Sequence, residues 1–272
     1  MDWFRVLAIG GSDSGGGAGI EADVKTITAL GGYAMTAITA VTAQDTTGIA
    51  AIAPVPPDLV ARSIRMVVAD LGVDAIKLGM LGSAGTAEEV ALAIAAAAPA
   101  APLVLDPVLA STSGTALAGE GALAIIRDRL LPRATLVTPN RDEAATLAGL
   151  AIDSHEDAIR AGRALCRLGA RAVLLKGGHF HGDPVIDRLI AGDDVVTFAH
   201  PRIATRHTHG TGCTLASAIA CGLARGLDLR AAIEAAEAFL HAALRAAPGL
   251  GRGHGPLGHA RAAALLQDRP PA

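Results

Sequence analysis

Short apolar segments alternate with segments of helical period along most of this chain. Runs rich in Val, Ile and Leu predict strands at residues 4–9, 37–42, 75–78, 103–105, 134–137 and 172–175. These runs are almost continuously apolar, which is typical of strands that are covered on both faces of a sheet. Helical segments lie between most of them, at 20–30, 57–69, 86–98, 120–131, 141–148, 154–168, 213–225 and 229–246.

Strand–helix alternation of this kind indicates βαβ units and a mostly parallel sheet. Two later apolar runs, 185–190 and 195–199, are separated by a short Gly-Asp-Asp turn and predict an antiparallel hairpin at one edge. No Pro/Ser-rich linker divides the chain. We therefore expect one α/β domain over residues 1–272, a three-layer α/β/α sandwich whose ligands bind beyond the carboxyl ends of the strands.

Composition narrows the class of partner. The 272 residues are 51% hydrophobic but only 2% aromatic, and 23 Lys and Arg against 26 Asp and Glu give a net charge of −3. Without a basic surface or an aromatic platform, nucleic acid is not an expected partner. No apolar run is long enough to predict a membrane span, and the three cysteines form no disulfide or zinc pattern. We expect a cytoplasmic protein that acts on a small molecule.

The first candidate segment is a glycine-rich loop between the first strand and the first helix. Residues 10–19 contain six glycines, which permit close approach of a ligand to the backbone, and a helix N-terminus follows. Their spacing breaks the dinucleotide-binding fingerprint, and no P-loop is present. Asp23 lies in the first turn of that helix, where the dipole also favours a surface carboxylate. Gln44, after the second strand, carries a donor and an acceptor on one amide, which suits the nitrogen and amino edge of a heterocycle, although a solvated loop glutamine is equally ordinary.

Acidic and basic residues follow buried strands. Asp106 ends one strand, and Glu143 lies where another strand gives way to a helix. Carboxylates in such places are costly unless they are paired or bind metal, and Mg²⁺ takes one or two of them together with phosphates and water. Lys176 ends a further strand beside two glycines, and a compact ammonium there can contact phosphate. Lys77 has a similar setting but is equally compatible with a structural role.

The segment THGTGCTL opens a long apolar helix. Free backbone N–H groups at Gly210, Thr211, Gly212 and Cys213 would form an anion hole for a phosphoryl group in transfer. At that terminus we expect the pKa of the Cys213 thiol to be lowered, which would make it a candidate base for a substrate hydroxyl. His207 and His209 lack a third ligand at suitable spacing and do not predict a metal site.

Taken in this order, the segments resemble the hydroxymethylpyrimidine/phosphomethylpyrimidine kinases of thiamine biosynthesis, a branch of the ribokinase-like superfamily. The resemblance runs from about Arg5 to His259. It depends on GGSDSGGGAGIEADVKT, TAITAVTAQDTTG, IKLGMLGS, VLDPV, TPNRDEA, LLKGGH, THGTGCTLASAIA and GHGPLGH. Residues 109–114, after the DPV element, differ from the Met- and Lys-containing version typical of that family.

The resemblance implies roles for particular residues. Gln44 would contact the aminopyrimidine edge, Gly11 and Met80 would line its pocket, and Asp23 would lie near the hydroxymethyl group. ATP would be bound by Lys176 together with Asn140 and Glu143, and Mg²⁺ by Glu143 and, through water, Asp106. The residues from Gly210 to Cys213 would be the anion hole, with Cys213 as base. A homodimer is also implied.

Other functions remain compatible with the sequence. A pyridoxal or dual-specificity vitamin kinase would share the anion hole, and only Gln44 with Met80 favours the aminopyrimidine. A non-catalytic pyrimidine-binding domain is disfavoured because it would have no use for Lys176, Glu143 and Cys213 together. An oxidoreductase of the Rossmann class is disfavoured by the broken glycine fingerprint.

Overall fold

A computed structural model describes residues 3–111, 114–115, 117–119, 121–180 and 182–267. Within these ranges the chain forms a nine-stranded sheet with the order β3-β2-β1-β4-β5-β6-β7-β8-β9. The strands are β1 (Arg5–Asp13), β2 (Tyr33–Asp45), β3 (Gly48–Pro54), β4 (Ala75–Leu78), β5 (Leu103–Leu105), β6 (Leu136–Val137), β7 (Val173–Leu175), β8 (Val185–Ala191) and β9 (Asp194–His200).

The central strands, from β2 to β7, pair in parallel, and β3, β8 and β9 add antiparallel edges. The helices are α1 (Gly19–Ala29), α2 (Pro57–Leu71), α3 (Ala84–Ala97), α4 (Ala122–Ile125), α5 (Arg141–Ala148), α6 (His155–Arg167), α7 (Thr211–Ala224), α8 (Leu229–Arg245) and α9 (His259–Gln267). The mostly parallel sheet with an antiparallel edge, predicted from the apolar runs, is confirmed.

Two apolar cores cover the two faces of the sheet. Successive residues of β1 belong to different cores. Leu7 and Ile9 pack with α2, α3, α5 and α6, whereas Val6 and Ala8 pack with α1, α7 and α8. This alternation is the period-two geometry of a strand, and both faces are apolar because both are buried. At about 25 cal/mol per Å² of apolar surface, such double burial stabilises the sheet far more than strand propensity does.

Three parts of the fold differ from the sequence-based expectation. The strand β3 pairs with β2 as a second antiparallel edge that the pattern did not predict, because its residues are apolar yet exposed. The helix expected at 120–131 is only α4, followed by a π-helical turn at Ile126–Leu130; Glu120 lies outside the described residues. The helix α9 was not predicted.

All the parallel strands end at one edge of the sheet, so the residues that follow them meet there. The glycine-rich loop follows β1, Gln44 lies at the end of β2, and Asp106 and Lys176 directly follow β5 and β7. In the part of the chain that the structure describes, no helix has the length and apolarity to cross a bilayer.

Candidate active site

A cleft of about 790 Å³ lies across the carboxyl ends of the strands. Its lining includes every predicted site residue except Asp23, which lies below it: Gly11, Gln44, Met80, Asp106, Asn140, Glu143, Lys176, Gly210, Thr211, Gly212 and Cys213. Among the described residues, no Phe, Tyr or Trp lines this cleft. Recognition of a flat ring here therefore depends on backbone, aliphatic and amide groups.

One end of the cleft is built around Gln44. Gly11 lies opposite Met80, and a β-carbon on Gly11 would approach the Met80 sulfur to 2.8 Å, so glycine is needed for the methionine to lie against the strand. The backbone of Met80 is held by Thr39, whose hydroxyl donates to the Met80 carbonyl at 2.7 Å. The Gly11 backbone, the Met80 thioether and the Gln44 amide therefore line the same end of the cleft.

Asp13 and His209 join this end of the cleft, although the sequence pattern predicts neither as a site residue. The carboxylate of Asp13 accepts hydrogen bonds from the backbone N–H groups of Gly15, Gly17 and Ala18 at 2.8–2.9 Å, so these loop amides are already satisfied within the protein. His209 Nε2 lies 2.9 Å from Asp13 Oδ2 and 3.1 Å from the Gln44 side-chain nitrogen.

Asp23 is placed beneath the cleft and not at a protein surface. Its side chain is 0% exposed and that of Lys77 is 1% exposed, and the two form an ion pair of 2.8 Å. The hydroxyl of Ser217 donates to the other carboxylate oxygen at 2.8 Å. The expectation of a surface carboxylate at this helix terminus is therefore wrong, because the pairing with Lys77 and Ser217 makes burial tolerable. Lys77, but not Asp23, reaches the cleft wall.

The opposite part of the cleft concentrates charge. Lys176 Nζ lies 2.9 Å from Asp106 Oδ1 and 3.8 Å from Glu143 Oε2. Glu143 is held in place by the capping box of α5: its carboxylate accepts from the Asn140 backbone N–H at 2.7 Å, and the Asn140 side chain accepts from the Glu143 N–H at 2.9 Å. The sequence TPNRDE thus fixes Glu143 as part of a helix start and aims it at Lys176.

Burial and the neighbouring charge of Asp106 raise the pKa of Glu143 to about 6, although Lys176 opposes this shift. Burial alone would lower the pKa of Lys176, but the carboxylates of Asp106 and Glu143 more than offset it, and the pKa is raised. The lysine is therefore a permanent cation, and the two carboxylates next to it form a site that is suited to further positive charge.

Gly210 and Gly212 shape the start of α7. Gly210 adopts a left-handed conformation, with φ of 86°, and a β-carbon there would overlap the carbonyl oxygen of Gly17. A β-carbon on Gly212 would lie 3.3 Å from both Asp106 Oδ2 and Lys176 Nζ. Of the predicted anion-hole amides, that of Thr211 donates to the Thr208 carbonyl at 3.3 Å. Within the described chain, those of Gly212 and Cys213 have no backbone acceptor.

The expected lowering of the Cys213 pKa is wrong. Burial raises the pKa of the Cys213 thiol to about 11, and the carboxylates of Asp23 and Asp106 add to the effect, while Lys77 opposes it. The helix N-terminus was expected to favour the thiolate, but here desolvation is the larger effect. At neutral pH the side chain is a thiol.

Beyond Lys176 the cleft continues as a slot between β8, the segment after β9 and α8. Its lining combines the aliphatic Val185, Ile203, Leu240 and Leu244 with polar side chains that include Asp187, His200, Arg202 and His241. These residues have no signal in the sequence, because they are ordinary positions on three distant segments. Only the fold brings them into one cleft with Lys176.

Comparisons with known proteins extend these observations. A family model described as phosphomethylpyrimidine kinase matches residues 13–258. A hydroxymethylpyrimidine/phosphomethylpyrimidine kinase from Streptomyces coelicolor is 48% identical over 254 residues, which cover 93% of each chain. The thiamine biosynthesis bifunctional protein ThiED from Geobacter sulfurreducens is also 48% identical, over 97% of this chain but 54% of that protein, so the chain spans about half its length.

Solved structures give a parallel result. The phosphomethylpyrimidine kinase from Clostridium difficile superposes with a TM-score of 0.78 at 35% identity, covering 88% of this chain and 98% of that one. The pyridoxal kinase from Staphylococcus aureus, in complex with AMP-PCP and pyridoxal, superposes with a TM-score of 0.87 at 31% identity, covering 96% and 95%.

Proposed function

The chain belongs to the phosphomethylpyrimidine kinase family, with the ribokinase-like fold that its sequence predicts, and from this membership we propose its reaction. The enzyme transfers the γ-phosphoryl group of ATP to the hydroxyl of 4-amino-5-hydroxymethyl-2-methylpyrimidine, and then phosphorylates the resulting monophosphate, in thiamine biosynthesis. The observation that carries the proposal is that one cleft has the side-chain amide of Gln44 at one end and, beside the start of α7, Lys176 in contact with the Asp106 carboxylate.

The aminopyrimidine occupies the end of the cleft that Gly11, Gln44 and Met80 line. Gln44 pairs with the ring nitrogen and the exocyclic amine, since its amide offers a donor beside an acceptor. Because Met80 lies against Gly11, the thioether and the glycine backbone form one surface on which an aromatic ring can pack without any aromatic side chain. In this arrangement Asp23 contributes only through Lys77, because its carboxylate does not reach the cleft.

The triphosphate of ATP lies along Lys176 towards the free amides of Gly212 and Cys213. Backbone N–H groups at a helix start favour the charge that develops on the transferred group, and they need no reorganisation during the reaction. The slot beyond Lys176, with aliphatic and polar side chains on its walls, accommodates the nucleoside. Asn140 acts by fixing Glu143 through the capping box.

The residues present fit a hard divalent cation. Asp106 and Glu143 are buried carboxylates near one lysine, and burial, followed by the charge of Asp106, raises the pKa of Glu143. Mg²⁺ commonly uses one or two carboxylates and completes its shell with phosphate oxygens and water. When bound, it would shield the phosphate charge during transfer. Glu143 and, through water, Asp106 would hold it.

In the transfer step the substrate oxygen forms a bond to the γ-phosphorus, and the bond to the β–γ bridging oxygen breaks. The hydroxyl proton passes to Cys213. Because the thiol is protonated at neutral pH, Cys213 acts as a relay: its sulfur receives the hydroxyl proton while its own proton moves to an oxygen of the phosphoryl group. No net charge is then left on the sulfur.

Pyridoxal is the second candidate substrate, because the structural match to the S. aureus pyridoxal kinase covers nearly the whole chain. ADP release with the hydroxymethylpyrimidine, its monophosphate and pyridoxal, assayed in parallel with and without Mg²⁺, tests the proposal. We expect turnover of both pyrimidines, dependence on Mg²⁺, and a lower kcat/KM for pyridoxal. Absence of turnover with all three substrates overturns the kinase assignment, and preference for pyridoxal overturns the substrate.

The enzyme also acts as a homodimer in the cytoplasm, through the β3 edge of the sheet. Gly48–Pro54 carries no charged residue, and Ile52 and the neighbouring Val41 of β2 are 38% and 51% exposed. Open apolar edges of this kind are usually covered. Light scattering of the wild type should give twice the monomer mass, and Ile52→Glu should give the monomer; a monomeric wild type contradicts this assembly.

A further inference from the structure

His209 lies where three functional segments meet. Its ring nitrogen Nε2 is 2.9 Å from Asp13 in the glycine-rich loop and 3.1 Å from the Gln44 amide. The next residue, Gly210, is the N-cap of α7. His209 is 7% exposed, so its ring is largely shielded from solvent. Neither the family resemblance nor the charge cluster at Lys176 assigns a role to this histidine.

Asp13 determines which ring nitrogen carries a proton. Burial opposes ionisation of its carboxylate, but the hydrogen bonds from His209, Ala18 and Gly15 more than offset it, and the pKa of Asp13 is lowered. An ionised carboxylate only accepts hydrogen bonds. His209 Nε2, at 2.9 Å, must therefore be an N–H donor.

This donor in turn selects one orientation of the Gln44 amide. The Gln44 nitrogen lies 3.1 Å from His209 Nε2, and its oxygen lies 3.3 Å from the hydroxyl of Thr42, which itself donates to the Ser12 carbonyl at 2.8 Å. In this orientation the amide nitrogen of Gln44 and the protonated Nε2 of His209 are both donors, so their contact is unfavourable. The amide oxygen likewise faces the hydroxyl oxygen of Thr42, whose proton is already donated to Ser12. A half-turn of the amide removes both conflicts: the oxygen then shares, in a three-centre hydrogen bond, the one Nε2–H that also donates to Asp13, and the nitrogen donates to Thr42.

We propose that His209 is a positioning residue that fixes the amide of Gln44 and thereby the direction in which the substrate ring docks. This inference rests on the proposed function. With the amide oxygen on the His209 side, the exocyclic amine of the pyrimidine faces His209, and the ring nitrogen faces Thr42. The hydroxymethyl group is on the ring carbon next to the amine-bearing carbon. It therefore lies on the side of Gly210, where the anion hole begins.

With the opposite amide orientation the same two hydrogen bonds form with the ring turned over. The hydroxymethyl group would then point towards Thr42, away from the start of α7. A loss of His209 should therefore affect productive docking more than binding itself. A purely structural role, such as holding the loop at Gly17 against α7, would instead lower stability and act independently of Gln44.

The experiment is a double-mutant cycle with His209→Leu, Gln44→Ala and the combined variant, together with His209→Gln, whose amide nitrogen can replace Nε2 as donor. We measure kcat by ADP release, the dissociation constant for the hydroxymethylpyrimidine by calorimetry, and thermal unfolding. His254→Leu is the matched control, because His254 is an exposed histidine that contacts Thr208 but not Gln44.

We expect His209→Leu to lower kcat about tenfold, the loss usual for one hydrogen bond to a charged network, with less than about a threefold change in the dissociation constant. His209→Gln should restore most of kcat, and in the Gln44→Ala background His209→Leu should have no further effect. The ¹⁵N shifts of His209 in the wild type should show a proton on Nε2.

Equal losses of kcat in both backgrounds, or a proton on Nδ1 alone, overturn the positioning role while the kinase assignment stands. A wild type that neither binds nor phosphorylates the hydroxymethylpyrimidine overturns the proposed function and this inference with it. The ¹⁵N measurement does not depend on turnover.

Discussion

Replacing Gly212 by alanine tests where the phosphoryl group lies. Gly212 is the second residue of α7, and its φ lies outside the left-handed region, so alanine brings no backbone strain there. The new methyl group would point into the cleft, 3.3 Å from both Asp106 Oδ2 and Lys176 Nζ. A phosphate oxygen that bridges Lys176 and the α7 amides at about 2.8–3.0 Å would overlap with this methyl group.

Gly212→Ala should leave the stability of the fold nearly unchanged but should lower kcat strongly. Replacing glycine by alanine in a helix stabilises by about 0.5–1 kcal/mol, and the tight contacts with two side-chain ends offset part of this gain. The free energy of unfolding should therefore change by less than about 1 kcal/mol. Because the methyl group keeps the phosphoryl group from the anion hole, kcat should fall by about 10²–10³-fold, as when one oxyanion donor is removed.

Gly85→Ala provides the matched control. Gly85 is also the second residue of a helix, α3, and its β-carbon would meet Pro57 and Ser83 at ordinary distances of 3.7 and 3.9 Å. This variant should be slightly stabilised and should keep wild-type kcat. Urea denaturation and ADP release measure the two properties. If Gly212→Ala retained kcat within about threefold of the wild type at unchanged stability, the phosphoryl group would not lie between Gly212 and Lys176.

Three further predictions concern titratable groups. Lys176→Met should reduce kcat/KM for ATP by about 10²-fold or more, measured by ADP release, and an unchanged value would remove the lysine from the phosphate site. Cys213→Ser should retain clearly more kcat than Cys213→Ala, because a hydroxyl can also relay a proton; equal losses would contradict a relay. Burial raises the pKa of Glu237 to about 8 from an unfolded value near 4.5, so its protonated form stabilises the fold below pH 4.5 and this contribution is lost as pH rises through 8. The wild type should thus lose about 4 kcal/mol of this contribution between pH 5 and 9, and Glu237→Gln should not, as measured by denaturation at both pH values.

The sequence predicted the strands correctly where both faces of the sheet are buried. Runs such as Leu103–Leu105 are apolar at every position because both sheet faces are covered, and helices recur between them. The edge strand Gly48–Pro54 gave no such signal, since its apolar residues are exposed and its pairing with β2 depends on tertiary contacts. The helix α9 follows a glycine-rich stretch and depends on packing against α8 and α1.

The site residues could be predicted where a charged side chain directly follows a buried strand, because such a position needs a partner or a ligand. Lys176 is one of only three lysines, and Asp106 and Glu143 follow buried strands, so their meeting at the sheet edge could be inferred. The pKa of Cys213 could not, because a helix terminus and desolvation act in opposite directions and only the packing decides between them. His209 was considered as a metal ligand, and its contact with Gln44, 165 residues away, has no sequence signal.

The distribution of charge in the cleft explains why ATP should arrive with a cation. Lys77 is neutralised by Asp23, so it adds no free positive charge to the cleft. Lys176 faces two carboxylates, Asp106 and Glu143, and when both are ionised these three side chains carry a net charge of −1. Next to this cluster, the amides at the start of α7 supply a further positive potential, equivalent to roughly half a charge. A bare triphosphate would meet a net negative wall, whereas a complex with a divalent cation reverses the sign of the interaction with Asp106 and Glu143. The affinity for ATP should therefore fall strongly when Mg²⁺ is removed, and the affinity of the Glu143→Gln variant should depend less on Mg²⁺ than that of the wild type.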